Sequence, residues 1–292
     1  MSQFVQLLIG GLKLGCTYGM LALGYSLIYQ ASGYMNFTQA NLMMFGAFIA
    51  YQLYALNHLP FIVALLIALV VMFLVGWMME RFVIRRLVNK NAKNVYVVLA
   101  TIALSIIIEN AAMLIWGANN KNFPPIFDGM PIKLGSTSVQ KEEVLCIVVA
   151  LIAMVLLHLF LNQTKFGTSM RASAQNKMAA SCMGINVNMT IGVTYGIAAL
   201  LACMAGVMIA PTISVSTQLG NTYSAKSFAG AVIGGYGNIY GAIVGSLLIG
   251  LLESFVGGYI TSQFKEFIVY GVMILFMIFK PTGLFNAKVY ST

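Results

Sequence analysis

A protein that breaks and makes bonds gathers nucleophiles, acids and bases, and this chain has few to gather. Its 292 residues include two histidines, His58 and His158, and four cysteines, Cys16, Cys146, Cys182 and Cys203. The cysteines form no CxxC pair and have no metal-ligand spacing; three lie inside apolar stretches, where a free thiol acts as a small hydrophobe. The histidines sit near the ends of different apolar runs, which suits polar partners at an interface better than a shared site. No GxxxxGK[ST], HExxH or GxSxG occurs, so there is no P-loop to hold ATP, no zinc-protease helix and no nucleophile elbow. We name no catalytic residue and no metal ligand.

The acid that stands out is Glu109, inside the run Ser105-Ile-Ile-Ile-Glu109-Asn110. A charge in lipid is expensive, so such a residue faces a bundle interior or a cavity. It serves either a polar pathway or a hydrogen bond to Asn110 or a neighbouring helix. Lys13, within the first apolar run, either snorkels or marks a helix end. Glu253 and Glu266 fall near predicted span ends and read as interfacial.

The elements that carry these residues are set by composition. Sixty per cent of the chain is hydrophobic and 8% charged, with a mean hydropathy of +0.89, against about 45–50% and about 25% in soluble domains. A helix crosses a membrane with roughly 20 apolar residues, and apolar runs fall near 4–30, 36–57, 60–79, 95–116, 143–161, 189–210, 227–258 and 266–279. The fold class expected is an all-α polytopic membrane bundle, one domain over 1–292, with about eight spans and one or two broken or re-entrant segments.

The net charge of +9 is topological. Of 16 Lys and Arg, five lie in 81–93, three in 165–177 and two at 280–288, and none of these segments holds an acid. Basic loops between apolar spans orient a chain with that side inward, and no folded basic face for nucleic acid exists. The segments 81–93 and 162–188 are thus expected in the cytoplasm. The polar loop 117–141, with Pro124, Pro125, Asp128 and Pro131, is expected on the other side.

Two stretches break the pattern. Residues 31–42 interrupt the first two spans with Asn36, Phe37, Thr38, Gln39 and Asn41, and Phe228–Glu253 is crowded with glycine, including Gly234, Gly235 and Gly237. Broken helices are tolerated where protein or a cavity covers the backbone, and they line transport pathways. One interruption in each half hints at an internal repeat. Glycines recurring at Gly11, Gly15, Gly19 and at Gly237, Gly241, Gly245 let backbones approach closely. The segment 162–188 is rich in Ala and Met and favours a helix from Ser169 to Cys182, ended by Gly184. Methionines on a short exposed helix suit another protein's groove.

That segment resembles the coupling loop of the branched-chain amino acid ABC importer permeases, the LivH-like family. Their GxxxRAxxxN pattern followed by GIN reads here as Gly167, Arg171, Ala172, Asn176, Gly184, Ile185 and Asn186. The likeness covers nearly the whole chain. The start, Leu7 to Leu12 with Gly15, Tyr18 and Gly24, the stretch Ala229–Asn238 and the ending Lys280-Pro281-Thr282-Gly283-Leu284-Phe285 are similar to family segments in order.

The resemblance implies a permease subunit of an ATP-driven importer in the bacterial cell membrane, working beside a second related permease. Two cytoplasmic ATPase subunits would use ATP and Mg, and an extracytoplasmic solute-binding protein would deliver the small-molecule substrate. No cofactor is expected in this chain, and its surroundings are membrane lipid. Gly167, Arg171, Ala172, Asn176, Lys177 and Gly184 would form the ATPase-docking element. Asn36, Phe37, Gln39, Asn41, Glu109, Gly234, Gly235 and Gly237 are the pathway candidates.

The chain departs from the family where relatives have NFAHG[ED]: it reads Asn36-Phe37-Thr38-Gln39-Ala40-Asn41. Relatives also often carry an amide in place of Glu109. Either these changes bear on cargo, or the motif is a structural helix junction. Alternatives to branched-chain amino acids are urea, amides or other small solutes, or a stand-alone secondary transporter with Glu109 as its ion site. A membrane-embedded enzyme or scaffold is a more distant rival.

Overall fold

The computed structural model describes residues 2–90, 92–127, 132–134, 137–260, 263–280 and 282–285; Asp128, Pro131, Pro281 and Lys288 lie outside them. Six helices are long and apolar enough to cross a membrane: α1 (Ser2–Ser32), α3 (Phe61–Met79), α5 (Asn94–Trp116), α6 (Lys141–Gln163), α9 (Val187–Ile209) and α11 (Ile239–Tyr259). Three shorter helices pack among them: α2 (Gln39–Tyr51), α10 (Leu219–Gly234) and α12 (Lys265–Phe279). The eight apolar runs thus become six full-length helices and three short ones. The run at 36–57 becomes helical only at Gln39, and the run at 227–258 is cut by a turn at 235–238. A π turn, Gln52–Leu56, prolongs α2, and another, Glu80–Ile84, joins α3 to the short α4 (Arg85–Asn89). Helices α7 (Lys165–Gln175) and α8 (Lys177–Cys182) link α6 to α9, and β1 (Ile132–Leu134) pairs antiparallel with β2 (Thr137–Val139).

The core is apolar, built on Leu21, Leu23, Met43, Phe48 and Tyr195, and the outer faces are apolar as well. In the 18-residue apolar stretches of the spans, 72% of the residues are buried in α9 but only 11% in α5. The outer faces carry bare Ile62, Val70, Ile107, Leu114 and Phe279, an apolar surface that water would not tolerate. Meanwhile Thr17, Asn36, Thr38, Gln39 and Lys226 are buried. Helix α1, ~46 Å long at 1.5 Å per residue, runs through the centre against α6, α9, α10 and α11.

Glycine sets the closest crossings. A Cβ on Gly15 would meet the Leu247 backbone at 2.9 Å, and one on Gly250 would strike the backbone of Gly15, so α1 and α11 touch backbone to backbone. The glycine stripes at Gly11–Gly15 and Gly241–Gly245 lie on these contacts, the second against Gly230 and Gly234 of α10.

The separate basic segments meet at one end of the bundle. Arg85 donates through Nη2 to the Asn188 carbonyl at 2.7 Å, and Lys177 donates to the Ser32 carbonyl at 2.7 Å. Arg171 and Phe285 share one cavity with Gln30 and Asn238. At the far end Trp116 donates to Gln52 at 3.0 Å, Tyr54 to the Pro125 carbonyl at 3.0 Å, and Lys121 bridges Val215.

Candidate translocation pathway and coupling element

Helix α1 ends at Ser32, and Gly33 at φ 81° reverses the chain so that residues 34–38 run back into the bundle. Every bond they make is internal. Asn36 Oδ1 accepts from the Thr38 N–H at 3.1 Å, Thr38 Oγ1 donates to the Thr101 carbonyl at 2.9 Å, and the Phe37 N–H donates to Thr101 Oγ1 at 3.2 Å. Gln39 Nε2 donates to the Ala198 carbonyl at 2.7 Å, and its amide fills the space that the missing side chain of Gly24 leaves. Asn41 Nδ2 donates to Ser105 twice, at 3.0 Å to the carbonyl and 2.6 Å to Oγ. Ala198 and Ser105 stand halfway along α9 and α5, so α2 begins in the middle of the bundle and runs to the far end. Three buried polar atoms of this junction have no partner: Asn36 Nδ2, Gln39 Oε1 and Asn41 Oδ1.

Helix α10 begins at the same depth and runs the opposite way. Gly220, in its first turn, lies against Asn41, with no room there for a side chain. Asn221 Nδ2 donates to both Glu109 oxygens at 3.2 Å. The half-buried Glu109 is therefore answered by a neighbouring helix and not by Asn110, which turns to the Ile106 carbonyl. Phe37 packs on Phe228 of α10, ring centroids 5.5 Å apart. Asn36, Phe37, Gln39, Asn41 and Glu109 thus all belong to the surroundings of two half-helix starts.

The glycines stand elsewhere. Gly234, Gly235 and Gly237 form the turn between α10 and α11 at the basic end, with φ of 110° and 87° at the latter two, a region closed to most side chains. The 282–285 segment closes over this turn: Leu284 N–H donates to the Ile233 carbonyl at 2.9 Å and Phe285 N–H to that of Gly234 at 3.1 Å. These glycines serve backbone packing at a site remote from Asn41.

One group was not legible. Lys226 is buried and donates to Glu253 Oε1 at 2.7 Å, while Tyr18 donates to Glu253 Oε2 at 2.6 Å. Glu266 and Lys265 at the start of α12 flank the pair at 3.3 and 3.5 Å. Glu253 is therefore internal, 4% exposed, whereas Glu266 is exposed. Lys226 lies one residue before the apolar run at 227–258, and α10 (Leu219–Gly234) carries it into the bundle. Lys13 pairs with Glu143 at 2.7 Å across α1 and α6. His158 bonds the Tyr240 hydroxyl at 2.9 Å.

The 162–188 segment is two helices where one was expected. Asn176 takes an extended conformation (φ −155°, ψ 108°), and its side chain accepts from the Ala179 N–H, ending α7 and capping α8. Gly184 follows at φ 83°, and Asn186 caps α9. Gly167 presses α7 onto the end of α6, its missing Cβ the condition for contact with the Phe160 and Leu161 backbone. Lys177 reaches back to the Ser32 carbonyl, and partial burial lowers its pKa by stripping water from the ammonium. Arg171 donates to Asn162 at 2.9 Å and is exposed, as is Asn176, while Ala172 is half-buried. Met178 and Met183 project bare, 79% and 83% exposed.

The family model for the permease component of branched-chain amino acid transport systems matches residues 7–277. The chain belongs to this permease family. As a permease it is a transport component and not an enzyme. It is 31% identical to the high-affinity branched-chain amino acid transport system permease protein BraD of Pseudomonas aeruginosa, over 97% of this chain and 95% of BraD. It is 28% identical to LivH of Escherichia coli (strain K12), over 96% and 95%. Among solved structures, PsaBC from Streptococcus pneumoniae in complex with Fab aligns with a TM-score of 0.49 and 13% identity, covering 98% of the permease and 93% of that chain. The permease is a multi-pass membrane protein.

Proposed function

We propose that this chain is one permease subunit of an ATP-driven importer for branched-chain or related amino acids in the bacterial cell membrane. It works beside a second related permease, two cytoplasmic ATPase subunits that use ATP and Mg, and an extracytoplasmic binding protein that delivers the amino acid. The observation that carries the reading is the α7–α8 element: it is fastened to the bundle by Gly167 and Lys177 and bares Met178 and Met183 at the basic end. A short rigid helix pair with exposed methionines fits an ATPase groove. Because Lys177 ties α8 to the end of α1, a push on α8 reaches the junction at Asn36–Asn41. There the two half-helix starts would part and rejoin as the pathway opens to either side.

The test is reconstitution of the complete assembly in liposomes with Arg171→Glu and, separately, Met178→Glu. Both variants insert and fold, and in both ATP hydrolysis no longer drives uptake. Wild-type coupling in both would remove the docking assignment.

A further inference from the structure

At the basic end, α3 and α9 are held together by glycine: the Phe73 ring lies over Gly196, and Trp77 lies over Gly192. Beside this contact a groove of about 630 Å³ opens between the two helices. Its inner end is apolar, lined by Phe73, Leu74 and Val193, and continues into the bare flank of α3 at Val70, Leu74 and Met78. Its outer end is basic and polar, formed by Arg81, Arg85, Asn186 and Asn188.

The charge of this outer end is uncompensated. Glu80 is the acid nearest it, is buried, and spends both carboxylate oxygens on Arg85, which also donates to the Asn188 carbonyl. Arg81 makes no ion pair among the described residues; it is exposed and lies with its guanidinium carbon 5.1 Å from the centre of the Trp77 ring. Asn186 uses its carbonyl oxygen to cap α9, and its amide nitrogen has no partner among the described residues. The groove therefore offers a fixed positive charge and an amide donor at the polar end of an apolar channel that runs onto the bare flank of α3.

We propose that this groove binds an anionic phospholipid of the leaflet at the basic end, with the phosphate against Arg81 and an acyl chain along Phe73, Leu74 and Val193. A wholly apolar partner would leave Arg81 unanswered. A soluble anion would leave the apolar half empty. A zwitterionic lipid would bring its own ammonium toward the guanidinium. Basic pockets between helices at the inner leaflet recognise anionic headgroups in this way. The assignment needs only the membrane location and is independent of the cargo.

Trp77 lines the groove and the chain's other tryptophan is Trp116, so the signal lost between a Trp116→Phe background and Trp116→Phe/Trp77→Phe isolates Trp77 from any tryptophan that co-purifying subunits carry. The full chain, with the subunits that co-purify, is placed in lipid nanodiscs containing phosphatidylglycerol or phosphatidylcholine with brominated acyl chains. Brominated phosphatidylglycerol should quench Trp77 saturably at a mole fraction about fivefold lower than phosphatidylcholine, the discrimination expected of one basic residue at a membrane surface. Arg81→Gln abolishes that preference, while Arg86→Gln, outside the groove, retains it. Equal quenching by the two lipids, quenching by neither, or a preference that survives Arg81→Gln would overturn the proposal. So would displacement by water-soluble glycerol phosphate at matching concentration, which would show an anion site without need of a lipid. The wild-type comparison decides the matter even where Arg81→Gln does not fold.

Discussion

Replacing Lys226 by methionine separates two accounts of the buried charges between α10 and α11. The side chain of Lys226 is 3% exposed and that of Glu253 4%, with 2.7 Å between Nζ and Oε1. Removing one member of such a pair strands the other in a low-dielectric interior and costs about 3–5 kcal/mol. Here the stranded carboxylate keeps the Tyr18 hydroxyl at 2.6 Å and the half-exposed Lys265 at 3.5 Å, so Lys226→Met should sit at the low end, about 3 kcal/mol. Glu253→Gln leaves Lys226 with Glu266 at 3.3 Å and costs somewhat less. The double variant Lys226→Met/Glu253→Gln strands no charge, and Tyr18 can still donate to the glutamine oxygen. It should therefore lie within about 1 kcal/mol of wild type, less destabilised than Lys226→Met alone. Reversible SDS unfolding of the four proteins in mixed micelles reads the cycle directly. Additive losses would refute the reasoning, because they would mean that each residue is held by something other than its partner.

Two further substitutions test geometry at the basic end. Gly234→Ala puts a methyl into the Gly241 carbonyl, where both sides are backbone and neither can yield. It should destabilise the α10–α11 hairpin by about 1–3 kcal/mol, seen as a lower unfolding midpoint, whereas Gly271→Ala, inside α12 with open space around it, should not lower the midpoint, since alanine favours a helix interior over glycine. Asn176→Ala removes the cap of α8 and with it the device that breaks α7 from α8. It should cost about 1 kcal/mol locally and loosen coupling of ATP hydrolysis to uptake without reducing membrane insertion.

How much of this was legible in the sequence follows from the range of the forces involved. Span positions come from apolar runs, a local property, and the basic loop segments expected to share one side do gather at one end of the bundle. The coupling segment was legible as an element but not as two helices. Its break depends on the conformation of Asn176, whose side chain can cap as readily as it can sit on a helix surface. The partner of Glu109 was not legible either, because Asn221 lies 112 residues away and no spacing rule reaches that far. Lys226 was hidden for a related reason. A lysine beside an apolar run looks like the end of a span until Glu253 and Glu266, from two other helices, are seen to neutralise it. The glycines at 234–237 illustrate the converse. Their local signal, a broken helix, was right, but what they break it for is a tight turn sealed by Leu284 and Phe285.

The least local feature is the meeting of two helix starts inside the bundle. A helix that begins halfway through a membrane leaves its first N–H groups without helical partners and its positive dipole end unshielded. Among the described residues α2 and α10 start in this way, beside the midpoints of α5 and α9, and are brought together at Asn41 and Gly220. Left alone, they would present like partial charges to each other in a medium of low dielectric. The chain offsets this with polar side chains from the spans that cross at that depth: Thr101 and Ser105 of α5 toward α2, and Glu109, one turn further along α5, toward the first turn of α10 through Asn221. A carboxylate beside a helix start is stabilising in a way that an amide is not. With Asn221 donating to both its oxygens, Glu109 is placed to hold the α10 start, and α5, the least buried of the six spans, becomes the helix whose displacement would undo the junction.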